Sequence, residues 1–200
     1  MSAVIAITQN NALLNEAELC IQLLELGLYK MHIRKPEWST KQLIALISEI
    51  PEQYRKRLVI HRDPDAAIAT GAGGLHLPYR ELITGRLSLP SELSLSASVH
   101  SWEEAQTAMK LCSYCFVSPV YDSISKKGYV ANEHLSHVPP ALRQKQIYAL
   151  GGIHAGNCLE AIAKGYAGVA VLGYIWDIPG EEISRASQLI RVMSSEKMSI

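Results

Sequence analysis

The sequence lacks an excess of charge of either sign. Its 200 residues include 19 Lys+Arg and 19 Asp+Glu, so the formal net charge is zero, and the pI is about 7.0. Proteins that bind nucleic acid or anionic membrane surfaces usually carry a basic excess. The charge balance therefore argues against nucleic acid and membrane as partners.

Long apolar runs and cysteines are also scarce. No run reaches the roughly 18 apolar residues of a membrane span, and residues 1–8 lack the basic start and long apolar core of a signal peptide. Of the four cysteines, Cys112 and Cys115 have CxxC spacing, but they follow a predicted helix, whereas a redox motif normally follows a strand. We expect buried structural thiols and a cytoplasmic, reducing location.

Short apolar segments alternate with segments of helical periodicity along the whole chain. The predicted strands are 3–8, 28–34, 57–61, 74–77, 93–100, 114–120, 147–150 and 168–172. Eight parallel βα units predict an α/β fold, a (β/α)8 TIM barrel in which residues 1–200 form a single domain. A doubly wound open sheet would share the alternation, but eight units favour closure into a barrel.

Several boundaries between these units carry local signals. Ser39 can cap a helix that runs to about Tyr54, and Ser101 with Glu104 forms a capping-box pattern for a helix to about Leu111. The connection 121–138 is long and has little apolar periodicity, which is typical of a lid or binding loop.

The last two strands end in glycine-containing turns. Gly151 and Gly152 follow the seventh strand, and Leu172 and Gly173 follow the eighth. Glycine lets backbone N–H groups approach an anion closely, and many TIM barrels hold a phosphate at these two turns. The turns therefore predict a phosphate site, with tight-turn packing as the alternative.

Polar side chains gather after the other strands, where a barrel has its functional face. They are His32, Arg34, His61, Arg62, His76, Ser98, His100, Ser118, Ser123, Ser125 and Lys126. One chemistry that suits this set is the binding of a diphosphate ester by arginine, lysine and hydroxyl donors. The other is a metal centre built from some of the four histidines. Because the sequence has no HxH pair, we expect a hydrogen-bonded structural role for each histidine.

Seven segments, each weak alone, together carry a resemblance to a known family. They are HIR at 32–34, LVIH at 58–61, GGLHL at 73–77, SASVH at 96–100, SPVY at 118–121 with Lys126 downstream, ALGGI at 149–153 and GVAV at 168–171. In this order and spacing the chain resembles the thiamine phosphate synthase and thiazole tautomerase family over nearly its whole length. The resemblance implies a (β/α)8 barrel. For the synthase branch it implies the joining of hydroxymethylpyrimidine diphosphate to thiazole phosphate, with release of diphosphate.

The resemblance also implies roles for residues. Arg34 and Lys126 would hold the diphosphate, Ser98 would add a hydrogen bond, and Ser123 would lie in a lid nearby. The amides around Gly151, Gly152 and Gly173 would hold the thiazole phosphate. The other predicted binding residues are His32, His61, Arg62, His76, His100, Ser118 and Leu172. Small-molecule phosphate esters are the implied partners, and Mg²⁺ is the implied cofactor.

Some positions depart from the synthase pattern. Where that pattern has Asn-Asp after the third strand, this chain has His61-Arg62, so Glu81 is the carboxylate left for a metal. The acid–base histidine of the tautomerase branch falls at Pro119. We therefore predict a synthase-like transferase in thiamine biosynthesis.

Three other functions stay open. One is a thiazole phosphate isomerase that uses a different histidine, and another is a non-catalytic phosphate-binding barrel. The weakest is a histidine–metal hydrolase. No motif encodes the oligomeric state, so a homo-oligomer also stays open.

Overall fold

Eight parallel strands close into one barrel in the computed structural model, which describes residues 3–85, 88–122 and 130–195. The strands follow one another around the barrel in sequence order, and β8 pairs with β1. They are β1 Ala3–Ile7, β2 Lys30–Ile33, β3 Leu58–His61, β4 Gly74–Pro78, β5 Ser94–Val99, β6 Tyr114–Val117, β7 Ile147–Ala149 and β8 Gly168–Val171. The predicted TIM barrel is confirmed. Most of the observed strands are shorter than the predicted ones by one to three residues at one or both ends.

Helices connect the strands around the outside of the barrel. They are α1 Glu16–Glu25, α2 Thr40–Ser48, α3 Glu52–Arg55, α4 Pro64–Thr70, α5 Tyr79–Thr84, α6 Trp102–Ala108, α7 Cys158–Ala163, α8 Gly173–Trp176 and α9 Glu182–Ser195. Two 3₁₀ turns, Glu133–Leu135 and Pro140–Leu142, lie between β6 and β7. None of the helices in the described parts of the chain combines the length and apolarity needed to cross a membrane.

The local capping signals have mixed outcomes. Ser101 caps α6 as predicted, because its hydroxyl accepts the Glu104 N–H at 3.2 Å, although the helix ends at Ala108. The single helix expected from Ser39 to about Tyr54 is wrong. Two helices, α2 and α3, stand in its place, and Pro51 lies between them as the residue that precedes α3. Its ring removes a backbone donor and keeps the preceding residue out of the helical conformation.

The main hydrophobic core lies between the barrel wall and the helices. Strand residues that point outward, such as Met31, Leu58 and Val117, pack there against Leu23 and Ile47 of the helices. This layer explains the near-continuous apolar runs of the strands, since parallel strands in such a fold are covered on both faces.

The barrel interior has an apolar half and a polar half. The apolar half contains Ile5, Ile7, Tyr114, Phe116, Tyr148 and Ala170. The polar half, on β2 to β5, contains His32, His61, His76, Ser96 and Ser98. Barrel interiors are normally filled by branched apolar side chains, so the polar half marks the part of the fold with a chemical role.

Candidate active site

A cavity of about 960 Å³ opens at the carboxyl ends of the strands. Its walls come from the segments that follow β1, β2, β3, β7 and β8, and its floor includes side chains of β3, β4 and β5. Positively charged and amide groups face it beside apolar ones such as Trp38 and Ile153. This volume suits a small organic substrate with anionic groups.

Arg34 follows β2 and presents its guanidinium to the cavity. Its backbone N–H donates to the Thr8 hydroxyl at 2.8 Å, and its side chain donates to the Asn10 amide oxygen. Burial lowers the pKa of Arg34, and the positive charge of Arg62 lowers it further. Two cationic groups that repel one another at a cavity favour an anion between them.

Arg62 follows β3 and is the second guanidinium at the cavity. Its Nη2 lies 2.7 Å from a carboxylate oxygen of Glu81, at the start of α5, and both side chains are exposed by 60% and 44%. The backbone of Arg62 has a φ of +63°, which is rare for residues other than glycine, asparagine and aspartate. Its N–H donates to the His76 carbonyl, which holds the strand end in this conformation.

Lys35 also lines the cavity, but its ammonium group is engaged elsewhere. It lies 2.6 Å from Glu16 and donates to the Asn11 carbonyl at 2.6 Å. Both members of this ion pair are buried. Breaking such a pair leaves an uncompensated buried charge, so Lys35 is a structural cation and braces the turn after β1.

The glycine turn after β7 lines the cavity. Gly151 and Gly152 have φ values of +95° and +65°, which favour glycine. A Cβ at Gly152 would overlap the Asp122 carbonyl oxygen, so the backbone of this turn packs directly on the loop after β6. Asn157 donates to the Gly152 carbonyl at 2.9 Å and holds the turn in place.

Three histidines converge at the cavity floor. His32 Nδ1 lies 3.0 Å from His61 Nε2, and the ring centroids of His61 and His76 are 4.3 Å apart. One ligand nitrogen from each ring lies within 4.8 Å of those of the other two. The convergence follows from register, because His61 and His76 are paired neighbours on β3 and β4, and His32 points inward one layer below.

Polar partners surround the three rings. His32 Nε2 lies 2.8 Å from the Tyr114 hydroxyl. His76 contacts two serine hydroxyls of β5, Ser96 at 2.9 Å through Nδ1 and Ser98 at 2.7 Å through Nε2. These hydrogen bonds fix the orientation of the His32 and His76 rings.

Burial keeps the three imidazoles neutral. Desolvation is the largest cause of the lowered pKa of each ring, and the neighbouring cations and histidines lower it further. The pKa of His76 falls to about 3, and those of His32 and His61 lie well below the ordinary value. At neutral pH the cluster therefore carries no charge and offers lone pairs.

Comparison with known proteins identifies the family. The sequence profile described as thiamine monophosphate synthase matches residues 4–175, which is most of the chain. The chain belongs to this family. The predicted family resemblance is confirmed at this level, and the match runs through all eight strands and both glycine turns.

Two thiamine-phosphate synthases show the level of sequence similarity. A thiamine-phosphate synthase of Thermus thermophilus is 28% identical over 172 residues, covering 82% of this chain and 82% of the relative. One from Koribacter versatilis is 27% identical over 177 residues, covering 84% and 82%.

Solved structures agree with the family assignment. The thiamine phosphate pyrophosphorylase of Bacteroides thetaiotaomicron is 25% identical with a TM-score of 0.77, over 98% of this chain and 99% of that one. A thiamine phosphate pyrophosphorylase of Pyrococcus furiosus is 21% identical with a TM-score of 0.74, over 96% of each chain, and shows likeness of fold.

Most of the residues predicted for the site of this family member line the cavity. They are Arg34, His61, Arg62, His76, Ser98, Ser118, Gly151, Gly152, Leu172 and Gly173. Their contacts with substrate stay predictions. Lys126 and Ser123, with residues 123–129 of the expected lid, lie outside the described residues.

Three predicted residues lie apart from the cavity wall. His32 is fully buried beneath the floor, since it points inward below the level of His61. His100 donates from Nδ1 to the Ser118 carbonyl at 2.8 Å, so it braces the end of β6. Glu81 is held by Arg62 at the rim.

Sequence reasoning did not predict three residues that shape the site. Asn10 contacts Arg34, Asp63 lines the cavity, and Tyr114 contacts His32 from the opposite side of the barrel. Asn10 and Asp63 are polar residues that follow strands closely, and this position could have indicated both of them as site residues. Tyr114 lies within an apolar run, and only the barrel closure brings it to His32.

The thiols fit the expected structural role. Cys112 donates from Sγ to the Tyr114 carbonyl at 3.1 Å, and Cys115 is fully buried on β6. Burial raises the pKa of Cys112 to about 11 and that of Cys115 to about 12. Such thiols hold their protons at neutral pH and are poor nucleophiles.

Proposed function

We propose that this chain transfers the pyrimidine-methyl group of hydroxymethylpyrimidine diphosphate to the ring nitrogen of thiazole phosphate. Membership of the thiamine monophosphate synthase family makes it a transferase of thiamine biosynthesis. The observation that carries the proposal for this site is that two guanidinium groups and a glycine turn face one cavity of about 960 Å³. One substrate carries a diphosphate and the other a phosphate, so the site needs two anion-binding regions.

Arg34 and Arg62 form the region that suits the diphosphate. A guanidinium group offers planar pairs of donors that match phosphate oxygens and stays charged at neutral pH. Asn10 positions Arg34, and Glu81 positions Arg62 at the rim. An incoming diphosphate would relieve the mutual repulsion of the two cations. The family resemblance implies that Lys126 adds a third cation for the diphosphate.

The turn at Gly151 and Gly152 forms the region that suits the thiazole phosphate. Both residues line the cavity, and their conformation favours glycine. Without side chains, the backbone amides can lie at hydrogen-bonding distance from phosphate oxygens. Gly173 lines the same wall after β8.

The proposed reaction exchanges one bond for another. The bond between the pyrimidine methylene carbon and the diphosphate oxygen breaks, and diphosphate leaves with the electron pair. The thiazole nitrogen donates its lone pair to the same carbon, which gives thiamine phosphate. Arg34 and Arg62 would stabilise the charge that develops on the leaving oxygen, and this differential stabilisation lowers the barrier.

Magnesium, implied by the family, does not fit the described residues at this cavity. Mg²⁺ prefers carboxylate oxygens and water. Asp63 lines the cavity, but one of its oxygens accepts the Ala66 N–H and the other the Thr40 hydroxyl, both at 2.8 Å. Glu81 is paired with Arg62. Residues 123–129 read SISKKGY and contain no carboxylate. The proposed catalysis therefore relies on the cations of the chain.

A two-substrate assay tests the proposal. Purified protein is mixed with both substrates, with and without Mg²⁺, and released diphosphate and thiamine phosphate are measured together. We expect equal amounts of both products, a large loss of rate in Arg34→Ala, and no loss in Arg191→Ala, an exposed arginine of α9. Diphosphate release no faster than without protein would reject the transferase function for this chain.

A non-catalytic phosphate-binding barrel is the second candidate. The pairing of Glu81 with Arg62, which removes a metal carboxylate, is the observation that favours it. A rise in melting temperature with thiazole phosphate, together with no turnover in the two-substrate assay, would support this alternative.

A further inference from the structure

Three neutral histidines at the bottom of an open cavity are the group that the proposed transfer does not use. They come from three consecutive strands, and one nitrogen of each lies within 4.8 Å of those of the others. We propose that His32, His61 and His76 bind a divalent transition-metal ion, of which Zn²⁺ is the representative, at the floor of the cavity. This site does not rest on the proposed transfer reaction.

The spacing of the rings is close to that of a bound ion. Zn–N bonds are about 2.0–2.1 Å long, so two imidazole nitrogens on one tetrahedral ion lie roughly 3.3 Å apart. His32 Nδ1 and His61 Nε2 are 3.0 Å apart, and one nitrogen from each of the three rings lies within 4.8 Å of those of the other two. We expect rotation of the side chains to bring all three lone pairs onto one ion.

Protonation of the rings is compatible with metal binding. A ligating imidazole must be neutral, and its second nitrogen then carries the proton. In the present hydrogen bond one of His32 Nδ1 and His61 Nε2 must donate to the other. Binding of an ion would replace this hydrogen bond and place the proton of His32 on Nε2, which lies 2.8 Å from the Tyr114 hydroxyl.

An outer layer of hydroxyl groups is already in place around the proposed ligands. Tyr114 contacts the second nitrogen of His32. Whichever nitrogen of His76 binds the ion, the other contacts a serine, either Ser96 at 2.9 Å or Ser98 at 2.7 Å. Partners of this kind fix the tautomer and the orientation of metal-binding histidines.

The donor set decides which metals fit. Three imidazole nitrogens suit Zn²⁺, Co²⁺, Ni²⁺ and Cu²⁺, whereas Mg²⁺ requires oxygen ligands. Among the described residues, the candidate group contains no carboxylate or thiolate. His61 and His76 line the cavity, so a fourth position on the ion would face the substrate space. Because Arg34 is nearby, we expect an anion in the cavity to strengthen metal binding.

Metal titration of the chelator-treated, full-length protein tests the proposal. Co²⁺ is added first, since its visible absorption reports the coordination of the ion. We expect one equivalent to bind with the intense d–d bands of a four- or five-coordinate site and without the near-ultraviolet band of a thiolate ligand. One equivalent of Zn²⁺ should then displace Co²⁺.

Variants separate the proposed site from other histidines and cysteines. We expect His61→Ala and His76→Ala to lose the Co²⁺ spectrum, and Tyr114→Phe to weaken binding by about 10- to 100-fold. His100→Ala is the matched control, because His100 contacts the Ser118 carbonyl and lies outside the cluster, and it should bind as the wild type does.

Melting temperatures measured without metal show whether each variant folds. Zn²⁺ should raise the melting temperature of the wild type and His100→Ala equally, that of Tyr114→Phe less, and those of His61→Ala and His76→Ala not at all. Absence of a stoichiometric Co²⁺ or Zn²⁺ complex, or equal binding by His61→Ala, would overturn the metal site and leave a purely hydrogen-bonded cluster.

Discussion

The guanidinium of Arg62 lies 2.7 Å from the carboxylate of Glu81, across the carboxyl ends of β3 and β4. The resemblance of the sequence to the synthase pattern implies an aspartate at the position of Arg62. The exchange places a cation where that pattern has a carboxylate, and it also engages the neighbouring Glu81. We therefore infer that this site suits a bare diphosphate anion better than a metal–diphosphate complex.

Diphosphate binding should therefore be nearly independent of Mg²⁺ in the wild type. We expect the Kd for inorganic diphosphate, measured by calorimetry, to change by less than about threefold when Mg²⁺ is added. In Arg62→Asp, Glu81 loses its partner and an aspartate tolerates the φ of +63°. We expect this variant to need Mg²⁺, which should strengthen binding by about tenfold or more. A variant as insensitive to Mg²⁺ as the wild type would contradict this account.

Arg34→Ala should weaken diphosphate binding by about 10- to 100-fold, because a charge-assisted hydrogen bond contributes roughly 1.5–3 kcal/mol. Binding of thiazole phosphate should change little, since that anion is assigned to the glycine turn. Calorimetric Kd values for diphosphate and for thiazole phosphate test whether the two anions bind in separate regions of the cavity. Equal weakening for both ligands would mean that Arg34 acts on the whole cavity.

Gly152→Ala should both destabilise the protein and weaken thiazole phosphate binding. The left-handed conformation alone costs about 1–3 kcal/mol for a non-glycine residue, and the added Cβ would overlap the Asp122 carbonyl oxygen. Gly71→Ala is the control, because Gly71 has a φ of +66° and no atom lies within 4 Å of an added Cβ. Urea unfolding should show a larger loss for Gly152→Ala. A smaller or equal loss would show that the turn can move away from the loop after β6.

Acid should destabilise the fold through the histidine cluster. The pKa of His76 is lowered from 6.5 to about 3 in the folded protein, so between these pH values unfolding takes up a proton. His76 therefore does not reduce the free energy of unfolding above pH 6.5, but it reduces this free energy progressively as the pH falls below that value. At about pH 5 the loss from His76 alone is about 2 kcal/mol relative to neutral pH.

Urea unfolding between about pH 7.5 and about pH 5 measures this loss. His76→Asn removes the titrating ring, so its stability should fall less over the same range. A slope for His76→Asn equal to that of the wild type would show that His76 titrates normally in the folded chain.

The sequence was sufficient to predict the barrel, because alternation of buried strands with amphipathic helices is a local property of the chain and its eight repeats favour closure. It also indicated Arg34, Arg62 and the Gly151–Gly152 turn, since residues directly after parallel strands must share one end of the fold. Segment ends were less predictable. The pattern predicts a sixth strand to Val120, for example, but β6 ends at Val117, two residues before Pro119, which has no backbone N–H to donate to a ladder.

The histidine cluster and the Arg62–Glu81 pair were decided by the tertiary structure alone. His32, His61 and His76 are widely separated in sequence, and no short motif joins them. Strand register places His61 opposite His76, and closure of the barrel brings Tyr114 of β6 to His32 of β2. Local sequence determines which segments become strands and helices, but distances across the barrel depend on how all eight strands align, which no single segment encodes.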